Sequence, residues 1–460
     1  MENLKYMKAS MKHNTILSDR LVLFGGRAGL SATSPRATAQ NPALLRAFRY
    51  YPCRSFIVAI MLFITTGVHA QTMSLDSVLL LIDRNNPMLM EYDNRAKAFE
   101  EYTKGATSWM APMVGAGTFM MPYPNQEVMG SDKGSLMFSI EQEIPNPAKL
   151  NANRNFLQSK SDVVTQQRAI QYNVLRAEAK TYYYQWLVYE RKVNVLKESE
   201  RIIQLMLKLG RIRYPYNQGS LGNIYKAEGR LSEVQNMILM TRGDIENVYY
   251  KLKSIANIPP TDSIRIDTTT VVDVQPLTQG DTTMLTARSD VKEIEQAIEV
   301  MRLNQALQKV KARPDFKIRF DHMHPIGDMP SAFTVMGMIS IPIAPWSSRM
   351  YKAEVKGMQY DIEAMKRGRE AVLIEARGML MGMANQLMRM KQQLENYETK
   401  IIPALHKNYE TLMLAYEENR EQLPMVIDAW EARNMAQLEY LNKLEDYYLM
   451  IVRYEKELEK

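Results

Sequence analysis

The chain has 460 residues, 58 basic and 51 acidic side chains, a formal net charge of +7 and a single cysteine, Cys53. Most of the surplus positive charge lies in positions 1–70, because residues 71–460 hold 49 basic and 49 acidic residues. The charge of residues 71–460 therefore does not favour a nucleic-acid partner, and their lack of cysteine excludes disulfides, thiolate zinc sites and cysteine nucleophiles there.

Residues 1–70 are predicted to be a signal peptide with a basic N-terminal extension. The apolar run 56–67 follows Arg46, Arg49 and Arg54 and precedes Val68-His69-Ala70, where small residues at Val68 and Ala70 suit cleavage after Ala70. The run is shorter than the roughly 20 residues that a membrane-spanning helix needs. The alternative is a buried core segment near the N-terminus.

Residues 71–257 are predicted to form the first of two structural repeats. A β-hairpin is expected over 113–144, because apolar and polar residues alternate along its second strand. The following segment, 148–213, lacks proline and has helical periodicity, which predicts a helix about 100 Å long. A turn near 214–223 then leads into a returning helix. Such long helices must pack along one another as in a coiled coil.

Residues 258–283 are predicted to be a linker, and residues 284–460 repeat the order of the first half. The second repeat has a hairpin over 316–341 and a helical turn near 416–425. No stretch in either repeat reaches 18 apolar residues, so a membrane crossing would need β-strands.

This duplicated order resembles the TolC-like outer-membrane efflux family, and within it the heavy-metal-exporter branch that includes CusC and CzcC. The resemblance covers 71–460 and is carried by Asn86-Pro87, the strand ends Ile144-Pro145 and Ile341-Pro342, and the two helical turns. The second turn has an aromatic residue, then Asn419 where the family has glycine, then Asp428-Ala429.

The resemblance implies a mainly α fold with a membrane β-barrel. Each chain would supply four strands and a share of a long α-helical coiled-coil barrel, and a homotrimer would close a 12-stranded barrel. The strand count supports this independently, since an open sheet edge is not tolerated in lipid and transmembrane barrels start at about eight strands. Two copies would leave a lumen filled by side chains, whereas three would leave a water-filled one.

The implied function is a passive export duct in the outer membrane of a Gram-negative bacterium, with its helical tunnel in the periplasm. An inner-membrane pump of the RND type and a periplasmic adaptor (membrane fusion) protein would supply the energy and the cargo, possibly heavy-metal cations. Alternatives are a type I secretion or multidrug duct of the same fold, a periplasmic adaptor, or a structural coiled-coil protein. No catalytic constellation and no cofactor motif is visible, so an enzyme is not expected.

The resemblance also places the channel constriction at the second turn. Asp428 matches an acidic position of the family, and Met425 takes the place of the other one. Threefold symmetry would bring three Asp428 carboxylates together, which would attract cations. Glu421 and Tyr416 are candidates for contacts that hold the constriction shut. The helical tips that would meet the adaptor are Gly219, Ser220, Leu221, Leu423 and Pro424.

His322, Met323, His324 and Met329 form the only metal-like cluster, since His and Met are ligands for copper or silver ions. The cluster is expected in the loop of the second hairpin, where a plain polar loop is the simpler interpretation. The chain has 34 methionines, and Met379, Met383 and Met390 recur at helical spacing. Such spacing usually indicates core packing, and a relay for soft metal ions is the alternative.

Overall fold

The computed structural model describes residues 71–267 and 283–460. The predicted signal peptide and the middle of the predicted linker lie outside these residues. The described residues form long helices, a four-stranded sheet and a small two-stranded sheet.

The first repeat begins with β1 (Gln71–Met73), α1 (Leu75–Asn85) and α2 (Pro87–Gly105). The hairpin of β2 (Met113–Phe119) and β3 (Ser135–Ile144) follows. The 67-residue helix α3 (Pro147–Arg213) then runs to a short 3₁₀ turn, Tyr214–Tyr216, and α4 (Leu221–Ile255) returns.

Asparagine and proline start two of these helices. The side chain of Asn86 accepts a hydrogen bond from the N–H of Met88, and Asn146 accepts one from Ala148, each at the N-cap. The next residue is proline in both cases, which costs no hydrogen bond in a first turn. Asn86 also donates to the carbonyl of Ile255 at 2.8 Å, which ties the start of α2 to the end of α4.

The second repeat follows β4 (Ile264–Ile266) and repeats the order of the first. It comprises α5 (Thr283–Thr286), α6 (Ser289–Val310), β5 (Phe316–Pro325), β6 (Ala332–Ile339) and α7 (Pro345–Asn396). A π-turn over Tyr397–Ile401 leads into α8 (Ile402–Glu417), and α9 (Leu423–Leu458) returns. Pro403 falls in the first turn of α8, directly after the π-turn.

The larger sheet has the strand order β2-β3-β5-β6, with all neighbours antiparallel. The two predicted hairpins therefore join side by side, β3 against β5, and β2 and β6 are left as free edges. Strand β5 continues through Pro325, so the expectation that His322 and His324 lie in a loop was wrong. Cross-strand pairing with β3 extends as far as Ser135–Pro325, which keeps this segment extended.

The smaller sheet pairs β1 with β4 in parallel, Gln71 opposite Ile264. Sequence periodicity did not predict this pair, because three residues are too few to show alternation.

The long helices lie side by side in a row. At the level of the hairpin tips, α4 packs on α3, α3 packs on α9, and α9 packs on α8, whereas α9 packs on α7 in the middle of the row. Nearer the sheet, α2 packs on α3, α3 on α6, and α6 on α7. The elements at the two ends of the row thus belong to different repeats: α2 and α4 to the first, α7 and α8 to the second.

Two apolar cores hold this row together. The larger is built around the middle of α3 and the C-terminal half of α9, where Tyr183, Leu187, Ile451 and Tyr454 are fully buried. The smaller joins the two hairpin tips. Among the described residues, no helix combines the length and the hydropathy needed to cross a membrane.

Candidate functional site

The four-stranded sheet has one apolar face, and that face is the more exposed one. The register brings Ile140 opposite both Val114 and Phe320, and Phe320 opposite Val335. These side chains, together with others on the same face, are 40–79% exposed. The other members are Leu136, Phe138, Phe316, Ile318, Phe333 and Ile339. An apolar patch that spans a whole sheet is unusual for a surface in contact with water.

The opposite face carries the charges and is more shielded. Lys317 lies 3.4 Å from Glu141 and 3.6 Å from Glu143, and the Nε atom of Arg319 donates to Asp321 at 2.8 Å. Asp321 is only 5% exposed. The sheet is therefore polar on its less exposed face and apolar on its more exposed face, which is the reverse of a sheet in a water-soluble protein.

The two hairpin tips have the same backbone geometry, displaced by 202 residues. Asn217 and Asn419 are both left-handed, with φ of 63° and 62°. Ser220 and Gln422 are the N-caps of α4 and α9, with nearly identical φ and ψ. The sequence correctly suggested that asparagine takes the place of the family's glycine at position 419, because asparagine tolerates this conformation.

Tyr416 lies at the end of α8 and is buried in the tip core. The guanidinium of Arg213, at the end of α3, donates to the carbonyl of Tyr416 at 2.6 Å and to that of Glu417 at 3.0 Å. It also lies 4.2 Å from the centre of the Tyr416 ring. Burial raises the pKa of Tyr416, and the positive charge of Arg213 opposes that rise. Tyr416 thus connects the two hairpins within one chain.

Asp428 is on the first turns of α9 and does not stand alone. Its Oδ1 atom lies 2.6 Å from the Nζ atom of Lys226 on α4. Three residues further along α9, Glu431 lies 2.8 Å from Arg230, which is four residues beyond Lys226. Two ion pairs in succession therefore connect α4 to α9, and the carboxylate predicted at the constriction has a counter-charge.

The remaining predicted constriction residues are accessible. Met425 is half-exposed on α9, and Glu421 is partly exposed in the turn, with its carboxylate near the N–H of Gln422.

The predicted docking residues divide into two groups. Gly219, Ser220 and Leu221 are exposed, and the Ser220 hydroxyl caps α4 at the N–H of Asn223. Leu423 is buried, because it packs over Gly210, where a Cβ atom would lie 3.0 Å from its Cδ2 atom. Pro424 is partly exposed. In this conformation the first tip, rather than Leu423, is open to a partner.

The predicted metal cluster is divided by the sheet. His322 and His324 lie on the apolar face, opposite Phe138 and Leu136, whereas Met323 faces the other side, opposite Met137. The Nδ1 atom of His324 is hydrogen-bonded to Ser331, and Met329 is an exposed residue of the connecting loop. Over 71–267 and 283–460, no three His, Cys, Asp or Glu side chains are grouped to hold a metal ion.

The methionines of α7 lie on two different faces of the helix. Met383 and Met390 pack against the larger core beside Leu380 and Leu387. Met381 and Met388 are exposed on the opposite side.

That exposed side of α7 is a regular stripe. Alternate steps of three and four residues connect Ala371, Ile374, Gly378, Met381, Asn385 and Met388, all exposed. We call these six residues the α7 edge stripe. The same spacing continues toward the sheet through Tyr360, Gly357, Ala353, Met350 and Trp346, which is 85% exposed. Alternating small and large residues at this spacing are typical of a helix–helix seam.

Helix α4 has a matching stripe at the other end of the row. It consists of Tyr225, Gly229, Ser232, Asn236, Leu239 and Gly243, which are all exposed. We call these residues the α4 edge stripe. Both stripes lie opposite the faces that their own helices bury, so each end of the helix row presents a second, unpartnered seam.

Sequence reasoning missed Arg213, Lys226 and the two edge stripes. The 202-residue repeat was the available signal for Lys226, since it aligns that residue with Asp428. Each stripe could have been detected as a second heptad pattern on its helix. Only the structure shows that the other face of each helix is already packed within the chain, which leaves the stripe without a partner.

No protein-family model and no curated protein matches the sequence. Solved structures do match, among them CusC, with 12% identity and a TM-score of 0.68 over 84% of this chain and 91% of that one. The outer membrane protein VceC of Vibrio cholerae matches with 12% identity and a TM-score of 0.64, over 84% and 95%. The CmeC outer membrane channel of Campylobacter jejuni matches with 14% identity and a TM-score of 0.64, over 84% and 85%.

These likenesses extend over nearly the whole of each solved chain, and they concern the arrangement of helices and strands rather than the sequence. The chain has the TolC-like fold, in which long α-helices of a helical barrel are combined with a few β-strands.

Proposed function

We propose that this chain is one subunit of a homotrimeric outer-membrane channel, the passive export duct of a tripartite efflux system. The observation that carries the proposal is the four-stranded sheet, whose exposed face is apolar, whose less exposed face holds the ion pairs, and whose two edge strands are unpaired within the chain. In lipid the backbone groups of a free edge cannot be left without partners, so the sheet must be closed by further copies.

The helix row supports a ring of copies. The α4 edge stripe lies at one end of the row, beside the smaller core, and the α7 edge stripe lies at the opposite end, beside the larger core. The natural contact between copies is therefore heterologous, with one end of the row against the opposite end of the next. A heterologous contact generates a ring when its rotation closes. The free strands β2 and β6 lie at the corresponding ends of the sheet. A single rotation between neighbouring copies would therefore join both their sheets and their helix rows.

The number of copies follows from the lumen. With four strands per chain, two copies give eight strands and a lumen filled by side chains. Three copies give twelve strands and a water-filled lumen, which an export duct needs.

The partners follow from the fold class and from the tips. A duct with no energy source of its own needs an inner-membrane pump, for which the RND type is the proposed class, and a periplasmic adaptor. The exposed first tip, Gly219, Ser220 and Leu221, is the proposed docking point for the adaptor. Heavy-metal cations are the proposed cargo on sequence resemblance, and drugs or secreted polypeptides are the alternatives.

Membrane fractionation combined with conductance measurement tests the proposal. The protein should sediment with the outer membrane, run as a trimer in mild detergent, and form water-filled channels in planar bilayers. Recovery as a soluble periplasmic monomer would contradict it. A deletion strain compared with its complemented parent on copper, silver, zinc and a panel of drugs would then identify the cargo.

A further inference from the structure

The two hairpin tips carry opposite net charges. Residues 205–233, around the first tip, contain five basic and two acidic side chains, a net charge of +3. Their counterparts under the 202-residue repeat, residues 407–435, contain three basic and six acidic side chains, a net charge of −3. The duplication has therefore preserved the backbone of the tip and inverted its charge.

This inversion is seen residue by residue at the predicted constriction. Lys226 is the repeat counterpart of Asp428, and the two side chains are ion-paired at 2.6 Å. Arg230 and Glu431 form a second pair one turn further from the tip, at 2.8 Å. Arg230 also donates to Glu233 on its own helix, so that its charge is shared between two carboxylates.

We infer that Lys226 neutralises the fixed charge of Asp428 at the constriction of this channel, and that this pair determines the ion selectivity of the duct. The inference rests on the proposed function and concerns the constriction of that same duct. Under threefold symmetry the ring contains three lysines and three aspartates in alternation, instead of three bare carboxylates.

The physical consequence concerns ions in the passage. A ring of like charges in a narrow, low-dielectric aperture concentrates counter-ions and excludes ions of its own sign. Opposite charges in direct contact leave only a dipole, whose potential falls off much faster with distance. The paired Asp428 carboxylates therefore do not concentrate cations, and a preference for metal cargo comes from the pump and the adaptor.

The Lys226–Asp428 pair can be tested by substitution, because it contributes little to the stability of the fold. The side chains of Lys226 and Asp428 are 39% and 58% exposed. Ion pairs between exposed side chains contribute little to stability, so neutral substitutions should leave the tip folded.

The test is the reversal potential of single channels in planar bilayers under a gradient of KCl. Lys226→Gln should shift selectivity toward cations several-fold, because Asp428 is left unpaired. Asp428→Asn should shift it toward anions by a similar factor. The double variant should return to the wild-type value, which a purely structural effect of either substitution would not produce.

Arg211→Gln serves as the matched control. Arg211 belongs to the same basic tip, but its partner Glu228 lies on the opposite side of α4 from Lys226, two residues along the helix, so the loss of Arg211 should leave the reversal potential unchanged. Unchanged selectivity in both single variants, or shifts of the same sign, would overturn the inference while the channel itself remained. A wild-type protein that forms no channel would overturn the proposed function, and the inference with it.

Discussion

Arg213 connects the two hairpins at the tip, since its guanidinium binds two carbonyls and one ring of α8. A hydrogen bond to a charged group contributes roughly 1.5–3 kcal/mol, and a cation–π contact about 0.5–1 kcal/mol. We expect Arg213→Ala to destabilise the tip by about 2 kcal/mol, which corresponds to a roughly 30-fold change in local opening. Hydrogen exchange of the amides around 205–225 and 410–425 should accelerate by that factor. If the tip closes the proposed duct, the variant should also leak more in bilayer recordings.

The control for Arg213 is again its neighbour Arg211. Arg211→Ala removes the same charge from the same turn of α3, but the lost contact is an exposed pair with Glu228. Such a pair contributes about 0–1 kcal/mol, so exchange at the second tip should remain at the wild-type rate. Equal acceleration in both variants would show that charge, rather than the contacts with Tyr416, closes the tip.

Residue-level prediction from the sequence succeeded where local conformation decides, and was incomplete where a neighbouring helix decides. Asn419 was correctly expected to accept a left-handed backbone. Tyr416 was expected to make contacts that hold a constriction shut, but its partner on the other hairpin, Arg213, was not predicted. Which of several helices a side chain meets is a tertiary property, and one helical period gives no information about it.

At the scale of elements, the hairpins and long helices could be predicted within a few residues. Period-two alternation indicated the strands, and long proline-free segments indicated α3 and α7. The length of β5 was underestimated, because His322 and His324 read as loop residues, although they continue the apolar face of the strand. The π-turn before Pro403 was not predicted, since it depends on how α7 and α8 join rather than on a local pattern.

The α7 edge stripe makes a prediction at the same scale. Within the chain, a Cβ atom at Gly378 would meet nothing within 4 Å, so a larger side chain has no intramolecular cost. If the stripe packs against a neighbouring subunit, Gly378→Leu overpacks that seam, at a cost of about 1–3 kcal/mol for each of three interfaces. The variant should lose trimer in mild detergent and keep its helical circular dichroism.

Gly368 provides the matched control on the same helix. It is also exposed with nothing within 4 Å, but it lies outside the spacing of the stripe. Gly368→Leu should assemble as the wild type does. A Gly378→Leu protein that remains trimeric would remove α7 from the proposed interface.

At the scale of the whole molecule, three layers end in the same way. The sheet ends in β2 and β6, the helices near the sheet end in α2 and α7, and those near the tips end in α4 and α8. In each layer one end belongs to the first repeat and the other to the second. A single chain is therefore an open segment at every level, and a rotation that joins one layer joins all three.

Substitutions at two adjacent residues of β6 can test whether the four-stranded sheet faces lipid. Val335 lies on the apolar face opposite Phe320, and Thr334 lies on the charged face opposite Asp321. Both are exposed within the chain, so in water an arginine at either position would cost little. In lipid an outward arginine near mid-membrane costs about 2–4 kcal/mol in each subunit, whereas an arginine in a polar lumen costs almost nothing. We therefore expect Val335→Arg to lower the amount of trimer in the outer membrane and Thr334→Arg to leave it unchanged. Equal amounts of the two variants would mean that the exposed face is in contact with water, and the duct would have no membrane to cross.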